Sequence, residues 1–128
     1  MISTREDFKK AIEKMASSDI DGCMWLDMAR LDDGRTLCLV LGWQDGYDVG
    51  EKYQQKVGDT LYTLCAKIAV NIDDLQCDYN VDWFMPWNED GDVIDTDMAI
   101  DSDGDFEWYE HEAKDIAEGL NKGSLEVR

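Results

Sequence analysis

Apolar residues nowhere run unbroken for the roughly 18 positions that a membrane-spanning helix requires. The N-terminus is polar by Ser3 and charged by Arg5, so no secretory signal is expected and the protein is expected in the cytoplasm, away from membranes. A single histidine, His111, and four cysteines (Cys23, Cys38, Cys65 and Cys77) without a C-x-x-C pair give no zinc or redox motif, so neither metal nor cofactor is expected. In a reducing cytosol the thiols read as small apolar packing residues. A glycine-rich phosphate cradle is absent, and so is a Ser-His-Asp set. Carboxylates are so abundant that no pair stands out as acid and base, and the chain is expected not to be an enzyme. Basic residues are scarce: 12 Lys and Arg stand against 30 Asp and Glu, a net charge of -18. That field repels nucleic acid and anionic membrane, which excludes both as direct ligands.

With 128 residues and 44% apolar content, the chain has enough for one core, and residues 1–128 read as a single α+β domain. Five tryptophans, five tyrosines and three phenylalanines in periodic patterns argue against disorder despite the charge. Ser3 and Glu6 have capping-box spacing, and Phe8, Ala11, Ile12, Met15 and Ala16 recur at helical spacing up to Ser17-Ser18. Residues 23–31 and 35–43 are rich in strand formers around an Asp33-Gly34 turn, a first hairpin. On its second arm Leu37, Leu39, Leu41 and Trp43 share one face and Cys38 and Val40 the other, so both faces are expected to be covered.

Glycines at 42, 46, 50 and 58, among polar residues, suggest a long connection over 42–58. Residues 61–72 fit both periods. Tyr62, Ile68, Val70 and Ile72 favour a strand, whereas a helix there would leave four strands and three helices. Alternation over 79–85 and 94–100, with an Asn88-Glu89-Asp90-Gly91 turn, predicts a second hairpin. Phe106, Tyr109, Ala113, Ile116, Ala117 and Leu120 return to helical spacing, closed by Lys122-Gly123. The expected fold is a twisted antiparallel sheet of four to five strands flanked by an N-terminal and a C-terminal helix.

The charge is regional. Residues 68–113 hold fifteen Asp and Glu and no Lys or Arg. Asp95 and Asp97, about 6.7 Å apart on one strand face, would form an acidic row with Asp82 of the neighbouring strand. That spacing is of the order of a nucleic-acid strand, with roughly one phosphate per 3.4 Å. Carboxylates without basic neighbours repel one another, which a merely solubilising surface avoids by interspersing lysines. Trp83, Phe84, Trp87, Trp108 and Tyr109 lie among them, although a core needs aromatics too. The candidate partner-binding residues are Asp82, Asp90, Asp92, Asp95, Asp97, Asp101, Asp103, Asp105, Glu107 and Trp87. Asp101, Asp103, Asp105 and Glu112 have part of a calcium-loop spacing, but Phe106 occupies the position that needs glycine, so an Asp-Gly turn into a helix is the better reading. His111 reads as a partly exposed helix residue.

The run LCAKIAVNIDDLQCDYNVDWFMPWNEDGDVIDTD, residues 64–97, resembles a segment of short acidic proteins carried by phages and mobile elements of Gram-positive gut bacteria. In size and acidity the whole chain is similar to anti-CRISPR and anti-restriction inhibitors, several of which imitate DNA. That similarity is one of character, with no shared motif; together with the acidic face it points to an inhibitor expected to occupy the basic DNA-binding surface of a host nuclease by charge competition. The alternative is an accessory protein of a mobile element that assembles through aromatic contacts, its acidity only a solvated shell. Neither reading fixes the oligomeric state.

Overall fold

Thr4, not Ser3, starts the first helix, α1 (Arg5–Ala16). The Thr4 hydroxyl accepts from the Asp7 amide at 3.3 Å, and the Thr4 amide donates to Asp7 Oδ2 at 2.8 Å. The expected capping box is thus displaced by one residue. Aspartate at the third helical position answers the cap as glutamate would. The computed structural model describes residues 2–45, 52–71, 86–88 and 98–127, with backbone alone for 71, 86–88, 98 and 127. Phe8, Ala11, Ile12 and Met15 are buried, the stripe that the helical spacing predicts.

The first hairpin forms as read: β1 (Cys23–Arg30) pairs antiparallel with β2 (Thr36–Asp45). Gly34, at φ 93°, supplies the left-handed residue of its turn. Asp33 Oδ2 meets Arg35 Nη2 at 2.6 Å beside it. A bulge between Asp27 and Ala29 sets an extra residue, Met28, into the core.

The ambiguous segment is a strand, β4 (Thr60–Asn71), paired with β2 from Thr36↔Asn71 to Asp45↔Tyr62. Its alternation divides two buried faces. Leu64, Ala66, Ile68 and Val70 join the core under the helices, while Cys65 and Ala69 are buried on the other side. β2 repeats the pattern, with Leu37, Leu39 and Leu41 inward and Cys38 and Val40 buried opposite. A central strand covered on both faces reads as a nearly continuous apolar run, which is why two periods fitted it.

Residues 42–58 are not one long connection. Gln54–Val57 form β3, which joins β4 through a two-residue turn at Gly58-Asp59. Gly58, at φ 62°, is the first loop residue, the position that such hairpins give to glycine. The sheet runs β1-β2-β4-β3, all antiparallel, and a further short strand, β6 (Met98–Ala99), pairs with β4. Of the expected second hairpin, residues 79–85 and most of 94–100 lie outside the described residues, as does its turn at 89–91. Pro86–Asn88 form β5, which pairs with a C-terminal strand, β7 (Leu125–Val127).

The last helix, α2 (Phe106–Lys122), ends at Gly123 in the left-handed conformation, φ 80°. Phe106, Tyr109, Ala113, Ile116 and Ala117 are buried. Phe8 of α1 meets Phe106 and Tyr109 at ring-centroid distances of 5.6 and 6.1 Å, and the Tyr109 hydroxyl donates to the Ala66 carbonyl at 3.5 Å. The described architecture is therefore α+β, with both terminal helices on the sheet. Among the described residues, no helix is long and apolar enough to cross a membrane. Cys38 and Cys65 are buried thiols that pack as expected, whereas Cys23 is disulfide-bonded, which corrects that reading for Cys23 alone.

Candidate acidic surface

The chain reaches α2 through a tight, acidic turn. Asp101 and Ser102 lead into a single 3-10 turn, Asp103–Asp105, and the Ser102 hydroxyl accepts from the Gly104 amide at 3.2 Å. Asp105 turns its carboxylate back to accept from the Asp101 amide, also at 3.2 Å. These bonds cap and tighten the 3-10 turn that leads into α2, and among the described residues no three His, Cys, Asp or Glu side chains converge to hold a metal ion. Positive helix-end dipoles favour carboxylates at this place, which offsets part of their mutual repulsion.

Arg5 is the cation at the centre of this group. Its Nε lies 3.9 Å from Asp103 Oδ2 and its Nη1 3.6 Å from Glu107 Oε1. Arg5 and Glu107 are mostly in water, Glu107 the more so at 78%, and Asp103 is half-exposed at 44%. Exposed pairs at such distances contribute little to stability. The carboxylates therefore stay available to another cation.

Beyond Glu107 the outward face of α2 continues acidic. Glu110, Asp115 and Glu118 are exposed with Glu107, while Glu112 is half-buried; Lys114 and Lys122 are the basic residues of the helix. At 1.5 Å of rise per residue, the four exposed carboxylates Glu107, Glu110, Asp115 and Glu118 fall about one per 5.5 Å of axis, with the exposed Lys114 among them. Trp108 sits in this face, 40% exposed, with its ring edge-on to Tyr109 at 5.2 Å. His111 lies on the helix surface as read, its Nε2 3.4 Å from Asp115 Oδ2.

Of the ten residues singled out in the sequence, the structure brings together Asp101, Asp103, Asp105 and Glu107. Asp82, Asp90, Asp92, Asp95 and Asp97 lie outside the described residues, and Trp87 is placed on β5 by its backbone alone. Sequence reasoning stopped the surface at Glu107. Projecting the helix one step further would have added Glu110, Asp115 and Glu118, which share the exposed arc with it. Arg5 gives no sequence signal, because its partners lie some hundred residues away.

On the sheet face away from the helices, a cavity of about 340 Å³ is lined by Asp21, Val40, Gly42, Gln44, Tyr62 and Lys67, among others, with no imidazole. The Cys38 thiol is pushed up to about 12, first by burial and then by the negative charge of Asp27, whose Oδ1 is 3.8 Å from the sulfur. At neutral pH that thiol is protonated and a poor nucleophile. No family model matches this sequence, and neither a curated protein nor a solved structure is similar enough to it to suggest what it does.

Proposed function

We propose that this protein is a non-enzymatic inhibitor that lays an acidic face on the DNA-binding surface of a host defence nuclease, in the first place an RNA-guided one. The observation that carries this reading is the exposed acidic surface from Asp101 through α2, in which one arginine makes two long, solvated ion pairs. Exposed carboxylates at about 5.5 Å per charge are of the same order as the linear density of a nucleic-acid strand, roughly one phosphate per 3.4 Å. A DNA channel presents lysines and arginines arranged for such spacing, and an acidic decoy competes for them. The long-range field of a chain at -18 speeds the encounter.

A second reading rests on Trp108, whose exposed ring suits an aromatic contact in an accessory protein of a mobile element, the acidity being a solvated shell. Salt separates the two. A complex held by several carboxylate-to-cation pairs should lose more than roughly tenfold in affinity between about 50 and 200 mM salt. An interface held by aromatics should change little over that range. The experiment is capture of partners from a bacterial host lysate on the tagged protein at low salt, followed by elution along a salt gradient. Release of a DNA-binding nuclease at moderate salt supports decoy binding, and a salt-resistant partner supports assembly through aromatics.

A further inference from the structure

We draw no further inference here: the strongest candidate, the exposed face of α2 that carries Trp108 near Asp105, Glu112 and Asp115, is an acidic cluster belonging to the surface already described, and nothing in the structure shows what covers it.

Discussion

Arg5 Nη1 lies 3.6 Å from Glu107 Oε1, so the first residue of α1 reaches the second residue of α2 through water-exposed side chains. Two long pairs in high dielectric are weak. Replacing Arg5 with Ala should change stability by less than about 1 kcal/mol, as urea unfolding would show. The same variant removes the cation nearest Asp103 and Glu107, so it should bind a cationic partner more tightly and elute later from an anion exchanger. Large destabilisation with unchanged elution would mean that Arg5 is a fold determinant and not a local neutraliser.

Gly119, in the last turns of α2, is required for close approach. A Cβ at this position would stand 2.5 Å from Leu125 Cδ1 and 2.6 Å from its Cγ. Glycine to alanine in a helix otherwise gains up to about 1 kcal/mol, and overpacking costs about 1–3 kcal/mol. The clash involves the branch carbon as well as the tip, so it should win. Gly119→Ala is expected to destabilise the wild-type background and to stabilise a Leu125→Ala background. A double-mutant cycle by urea unfolding checks the sign reversal. The same sign in both backgrounds would show that β7 does not hold Leu125 against the helix.

The α1 cap gives a pH dependence with a definite sign. Hydrogen bonds from the Thr4 amide and then its hydroxyl hold the Asp7 carboxyl below its ordinary 3.8. A carboxyl whose pKa is depressed on folding contributes stability that is present above the unfolded value and lost as pH falls through the folded one. The difference in stability between wild type and Asp7→Asn should therefore be full at neutral pH and shrink below 3.8. Urea midpoints of both proteins along a pH series measure it. Protonating the many other carboxylates relieves repulsion in both proteins alike, so only the difference isolates the cap. A difference that persists unchanged at the acid end would show that packing, and not the charged hydrogen bond, accounts for Asp7.

Much of this architecture was legible in the residues. Asp33-Gly34 between two runs of strand formers specifies a hairpin through a local rule, and Phe8, Ala11, Ile12 and Met15 specify a helix face through another. The strand at 60–71 had to be decided by composition, because burial on both faces erases the alternation that distinguishes a strand from a buried helix. β3 was missed because Gln54, Gln55 and Lys56 carry no apolar rhythm; an edge strand is ordered by its partner's backbone and not by its own side chains. β7 was missed because three residues are too few for a period, and its position follows from Gly119. Within the acidic surface, Asp101 to Glu107 stood out as a sequence run, whereas Glu110, Asp115 and Glu118 become neighbours only once the helix is wound.

The central claim is that the acidic face and DNA compete for one surface, and displacement tests it most directly. Partners captured on the immobilised protein at low salt would be challenged with excess duplex DNA, beside a variant in which Asp101, Asp103, Asp105 and Glu107 are all replaced by Lys. The account predicts that duplex DNA elutes the partner from the wild-type protein, and that the variant, folded by circular dichroism, captures far less of it. A partner that stays bound while it also binds the DNA, or that the variant captures equally well, would contradict the account.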